Sequence, residues 1–236
     1  MPGKLTRLLN RMCASLWLCI FLVLAGCNTA TTSEIASPNV GAELHEQAAP
    51  FDSTFAAVVG VFANIPEDAR TAQVLGTRRQ GSGVLIDDNG LVLTIGYLIM
   101  EADEIILVGP EGNQIPAEFV AYDHTTGFGL VRAQKPIKAA ALKLGDSKSL
   151  REGQPVLAVS FQGRAPVIAA SVVSRRPFAG YWEYLLENAI FTLPPHHEYG
   201  GAALIDAEGK LVGIGSLIVN DAIQQERPVI GNMFVP

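Results

Sequence analysis

Gly81-Ser82-Gly83-Val84-Leu85-Ile86-Asp87-Asp88-Asn89-Gly90-Leu91-Val92-Leu93-Thr94-Ile95 is the stretch that decides the fold. Two apolar runs, 83–86 and 91–95, flank four turn-forming residues. Asn-Gly tolerates the positive φ that tight hairpin connections need, so the stretch predicts two antiparallel strands joined by a short turn. The same rhythm continues outward. Residues 56–63 form an apolar run upstream. Downstream, 104–108 and 114–122 flank a second turn at 109–113, and 129–133 follows. After a Lys/Pro/Ala-rich pause at 135–141 the runs resume at 156–161, 167–173, 181–186, 189–193, 202–205, 211–219 and 229–235, with another hairpin turn at 206–209. The one helical candidate, 95–101, is short. Short strands at regular spacing predict an all-β fold. The pause divides them into halves of similar length, which predicts two small antiparallel barrels side by side.

Composition bounds the rest. The chain has 236 residues, 49% of them hydrophobic, enough apolar material for a core and too much for a disordered chain. Lys and Arg number 17 against 23 Asp and Glu, a formal net charge of −6. A nucleic-acid binder would present a basic face, so no nucleic-acid partner is expected. The cysteines are Cys13, Cys19 and Cys27, so none remains downstream for a disulfide, a zinc site or a thiol nucleophile.

The first residues read as an address. Lys4, Arg7 and Arg11 precede an apolar run from 12 to 24, broken only by Ser15. The run is too short to span a bilayer comfortably and suits the core of a signal peptide. It ends in Leu24-Ala25-Gly26-Cys27, which resembles the lipobox of bacterial lipoproteins. The resemblance implies cleavage after residue 26, acylation of Cys27 and a membrane contact through the lipid. Because Asn28 is not Asp, it also implies sorting to the outer membrane, facing the periplasm. An ordinary signal peptide and an uncleaved anchor are the alternatives. Residues 27–50, rich in Ala, Thr, Ser and Glu, are expected to form a flexible tether. The folded part is expected over 51–236, with a first barrel at about 51–134 and a second at about 142–236.

Several motifs, taken in order, resemble the trypsin-like serine proteases of the HtrA/DegP type. They are Gly81–Ile86, Leu93-Thr94, Leu144-Gly145-Asp146-Ser147, 151–160, Gly200-Gly201-Ala202-Ala203-Leu204 and Gly213-Ile214-Gly215. The resemblance covers about 51–236 and implies a trypsin-like double six-stranded antiparallel β-barrel. It also implies where a catalytic triad would stand. A triad needs a nucleophile, a base with a pKa near neutrality and a carboxylate to orient that base. The base position aligns with Tyr97, whose phenol, with a pKa of about 10, is a poor proton acceptor. The acid position aligns with Gly127. The nucleophile position aligns with Gly200 when counted back from Leu204, or with Tyr199 when anchored on the Gly-Gly pair. No catalytic residue is therefore expected, since loss of one triad member already costs orders of magnitude in rate.

Other residues have competing readings. His196, His197 and Glu198 are a weak metal candidate or a plain loop, and neither metal nor cofactor is expected. His124 is a turn residue or a relocated base, and Ser160 a core position or a nucleophile. Tyr97 and Tyr199, with His196 and His197, form a candidate cleft; the two rings either pack across it or lie on surface loops. Trp182 is core or a peptide-contacting rim. Three functions follow. The first is a lipid-anchored pseudoprotease of the bacterial envelope that binds peptides or envelope proteins. The second is an active serine-type endopeptidase or other hydrolase with relocated residues. The third is a structural envelope protein. The oligomeric state is left open.

Overall fold

The computed structural model describes residues 54–162, 166–180 and 184–236. The signal segment, the tether, Cys27 and Trp182 lie outside the described residues. Both barrels fall within one compact unit.

The opening hairpin forms as its chemistry requires. β2 (Arg78–Leu85) and β3 (Leu91–Ile95) pair antiparallel, with Val84 opposite Leu93 and Leu85 opposite Val92. The Asp87 carboxylate accepts the N–H groups of Asn89 at 2.8 Å and Leu91 at 2.7 Å, and Gly90 takes φ +79°. The second barrel repeats this device in the hairpin between β10 (Ala203–Ile205) and β11 (Leu211–Val219). There Asp206 accepts from the N–H of Glu208 at 3.0 Å and of Lys210 at 2.8 Å, with Gly209 at φ +75°. An acidic side chain two and four residues ahead of the N–H groups it binds substitutes for a backbone turn bond.

The remaining strands are β1 (Val58–Asn64), β4 (Glu104–Val108), β5 (Gln114–Tyr122), β6 (Phe128–Ala133), β7 (Pro155–Val159), β8 (Val167–Ala179), β9 (Leu185–Leu193) and β12 (Gly231–Val235). A four-residue helix, α1 (Ala72–Leu75), lies between β1 and β2. The strands close into two six-stranded barrels, β1-β2-β3-β6-β5-β4 and β10-β11-β12-β9-β8-β7, every pair antiparallel. Closure leaves few free edges. β10 and β12 are buried along their whole length, as strands packed on both faces must be. The seam between barrels is tight: a Cβ at Gly60 would lie 2.6 Å from the Phe161 ring.

Two details depart from the apolar pattern. The helical candidate at 95–101 is a single 3-10 turn, Gly96–Leu98, directly after β3. Leu185 and Leu186, from the run expected at 181–186, join 189–193 in one strand, β9, paired with a β8 that continues to Ala179, while 181–183 lie outside the described residues. Arg175 and Arg176 interrupt the apolar run but not the strand. The Arg176 guanidinium lies 3.5 Å over the Phe191 ring and bonds Asp221 at 2.9 Å. Arg175 donates to the carbonyls of Ser147, Leu150 and Asn188.

Candidate functional site

A cleft of about 260 Å³ opens between the barrels, lined among others by Ser82, Tyr97, His197, Glu198, Tyr199 and Gly200. Each wall is held by a distinct local device.

Tyr97 sits on the 3-10 turn that leaves β3. Gly96 starts this turn because its N–H donates to Gly127 O at 2.8 Å and any Cβ there would enter the Tyr122 ring. Leu98 and Ile99 anchor the turn from below, both buried. Arg79, only 6% exposed, fastens it from behind. Its guanidinium donates to Tyr97 O at 2.7 Å, Met100 O at 3.0 Å, Gly76 O at 3.2 Å and Thr71 Oγ1 at 2.7 Å. Thr71 in turn donates to the Glu101 carboxylate through its N–H at 2.8 Å and its hydroxyl at 2.5 Å. Those bonds hold the Glu101 pKa below the usual carboxylate range. Burial lowers the Arg79 pKa and the Glu101 charge opposes that shift. An arginine this buried is satisfied by carbonyls, which is how a cation can be kept inside a turn.

The opposite wall is the segment 196–202. Gly200 O accepts the Ser82 N–H at 2.8 Å, tying the segment to the first barrel. Gly201 has φ +74°, donates to Gly215 O at 2.8 Å, and has no room for a Cβ because Ser82 O occupies that space. The Tyr199 carbonyl accepts from Ala202 N at 3.0 Å. Across the cleft, a Cβ at Gly200 would stand 3.0 Å from Tyr97 Oη, so these two positions face each other directly.

The Tyr97 hydroxyl donates to Ser216 O at 2.9 Å, and the Ser216 hydroxyl is hydrogen-bonded to the Tyr184 hydroxyl. The Tyr184 ring also covers Gly127: a Cβ there would lie against it, and Gly127 holds φ +79°. Tyr97, Gly127 and Gly200 are thus gathered around one junction, with Tyr184 and Ser216 filling it. Sequence reasoning missed Tyr184 and Ser216. The aromatic cluster 180–184 was the available signal, but it did not say which ring turns inward.

Of the two readings of Tyr97 and Tyr199, packing of their rings across the cleft is not among the ring pairs of the described residues, which are Tyr122–His124, Phe178–Tyr184 and Phe178–Phe191. The reason is the Ser216 carbonyl, a directed acceptor within reach of the Tyr97 hydroxyl. His196 also departs from the expected cleft set. It is 2% exposed, donates its N–H to Asn232 Oδ1 at 2.5 Å and accepts from Asn232 Nδ2 at 2.9 Å. Its side chain is buried with the second barrel, and its Nε2 has no hydrogen-bond partner among the described residues. Burial lowers its pKa. His197 and Glu198 are exposed at the cleft mouth. His124 packs edge-on against Tyr122, and Ser160 is buried with its hydroxyl donating to Gln162 O at 2.8 Å.

The hydroxyls nearest the cleft are engaged inside the fold. Ser82 Oγ accepts from Phe161 N at 2.9 Å, and Thr94 Oγ1 donates to Ser82 O at 2.6 Å. Ser82, Thr94 and Ser216 are all buried. Among the described residues no group of three or more His, Cys, Asp or Glu is placed to hold a metal ion.

The profile of the trypsin-like peptidase domain matches residues 81–214. The periplasmic serine endoprotease DegP of Escherichia coli (strain K12) is 30% identical over 142 residues, 59% of this chain and 30% of that protein. The periplasmic pH-dependent serine endoprotease DegQ of the same strain is also 30% identical over 142 residues, 59% of this chain and 31% of its own. The matched region thus spans about a third of the length of these relatives. The solved structure of the HtrA-type protease AlgW with a tripeptide has a TM-score of 0.63 at 22% identity, covering 79% of this chain and 58% of that one. The shared architecture is the double six-stranded barrel. The chain is homologous to the HtrA/DegP serine proteases and belongs to the family defined by the trypsin-like peptidase domain.

Proposed function

We propose that this chain is a proteolytically silent member of that family, lipid-anchored through Cys27 in the bacterial envelope, at the outer membrane facing the periplasm. Its cleft binds extended peptides or protein partners without cleaving them. The observation that carries this reading is the pair facing each other across the cleft. Tyr97 stands where the family resemblance puts the base, and its hydroxyl is committed to the Ser216 carbonyl. Gly200, opposite, has no side chain to attack a carbonyl. The acid position, Gly127, lies beneath the Tyr184 ring. A double barrel can still take an extended segment along a strand edge, where main-chain hydrogen bonds supply affinity. The periplasmic names of the relatives support the compartment, and the Leu24-Ala25-Gly26-Cys27 motif supports the anchor.

Two measurements on the purified protein test the silent reading. A fluorophosphonate probe should leave it unlabelled, and unfolded casein should survive incubation intact. Casein turnover that is lost on Tyr199→Ala or His197→Ala would establish relocated catalytic residues and sink the reading. Labelling of Cys27 by radioactive palmitate in a bacterial host, abolished by Cys27→Ser, tests the anchor.

A further inference from the structure

β10 pairs with β11 only as far as Ala203 opposite Ile214. Gly215 closes that ladder, donating to Ala202 O and accepting from Gly201 N, each at 2.8 Å. Beyond it, Leu217, Ile218 and Val219 pair with β12 on one side, and among the described residues no strand adjoins the other. Ser216 is the extra residue of a bulge in this pairing, with its side chain fully buried. Among the described residues this is a short free edge in an otherwise closed barrel, and free edges accept further strands. The first acceptor past the end of β10 is the Ser216 carbonyl, and one donor already reaches it: the Tyr97 hydroxyl bonds it from the first barrel at 2.9 Å.

Resting on the peptide-binding reading above, we propose that Tyr97 is a built-in competitor for this edge. Its hydroxyl holds the carbonyl that the backbone N–H of an incoming extended peptide would use, so a ligand strand binds only by displacing it. The Tyr97 backbone is fastened by the bond from Arg79 to its carbonyl, and Gly96 is held by Gly127. Release is therefore a rotation of the Tyr97 side chain into the adjoining cleft and not an opening of the turn. The native cleft is self-capped, and ligand affinity is set low by the hydrogen bond that must be given up.

The test titrates fluorescein-labelled, reduced and carboxymethylated casein with the full-length protein in detergent, read by anisotropy. The wild type should bind saturably. Tyr97→Phe keeps the ring and removes the donor, and should bind about fivefold tighter, the worth of one net hydrogen bond. Tyr97→Met, which also lacks the donor, is read the same way should Tyr97→Phe fail to fold. Hydrogen exchange at saturation should show new protection within 217–219, at the amides that do not face β12. Saturable binding that is unchanged or weaker in the donor-less variants overturns the competitor role and leaves peptide binding standing. Protection confined to other segments does the same. Absence of saturable binding in every variant overturns both.

Discussion

Gly200 and Gly201 are neighbours with opposite tolerances. Gly200 lies outside the left-handed region, and a Cβ there would meet only the tip of the Tyr97 side chain, at 3.0 Å. Gly201 combines φ +74° with a backbone carbonyl, that of Ser82, where its Cβ would go. A side chain at 201 must either strain the left-handed conformation or push the first barrel away from the second. Gly200→Ala should change stability by less than about 1 kcal/mol, whereas Gly201→Ala should cost about 3 kcal/mol or more. Urea denaturation of both variants with an unchanged m-value checks the contrast. Similar losses at both positions would show that the close approach of the 196–202 segment to β2 is not what selects glycine. The same geometry says why adding a serine at 200 is not enough to make a protease. The hydroxyl would face a phenol already bonded to the Ser216 carbonyl, standing where the resemblance puts an imidazole, so Gly200→Ser should remain unlabelled by a fluorophosphonate.

The strand elements are held in register by their turns. Asp87 and Asp206 each accept two backbone N–H groups at the hairpin bend, one in each barrel. Replacing either by Ala removes both acceptors in a solvent-reachable turn and should cost about 1–2 kcal/mol. Asn keeps one carbonyl oxygen and should recover most of the loss. Chemical denaturation of the four single variants measures this, and a full-sized loss in the Asn variants would point to charge and not turn geometry. The β8–β9 ribbon obeys a different rule. Its bulges at Val172/Ser174 and Arg176/Phe178 turn two arginines toward carbonyls, a ring and Asp221. A strand can thus continue through a charged pair when each cation finds its acceptors.

At the scale of the whole molecule the two barrels share one seam, crossed by Ser82 N to Gly200 O, Phe161 N to Ser82 Oγ and Tyr97 Oη to Ser216 O. The segment 196–202 is one side of that seam, and it is rooted in the second barrel by His196. That imidazole is buried and its pKa is lowered by burial; the Glu198 charge opposes this shift and the His197 charge adds to it. The folded state therefore favours the neutral ring, while the unfolded chain takes up a proton near pH 6.5. Below that value the unfolded state binds more protons, so stability falls with acidification until the folded-state pKa is passed. Thermal melts at pH 7.5 and pH 5 should show a larger loss for the wild type than for His196→Gln. Equal losses would mean that the ring is protonated in place without cost. The affinity of the cleft should weaken over the same interval, because the wall bearing Tyr199 and Gly200 loosens with its root.

Local chemistry was legible from the residues alone. The Asp-x-x-Gly turns at 87–90 and 206–209 are built from bonds spanning two to four residues, so the hairpins, the all-β class and the division into two halves could be read directly. The family resemblance likewise named Tyr97, Gly127 and either Gly200 or Tyr199 as the positions to look at. Which groups meet could not, because barrel closure sets it. Tyr97 and Ser216 stand 119 positions apart, and no periodicity in either segment says that one hydroxyl will find that carbonyl. The Tyr184 ring over Gly127 and the inward turn of His196 have the same origin. Sequence determined the strands and their turns because short-range hydrogen bonds are encoded where they form. Only the tertiary structure decided the contents of the cleft, because it places groups from both barrels around a single buried serine.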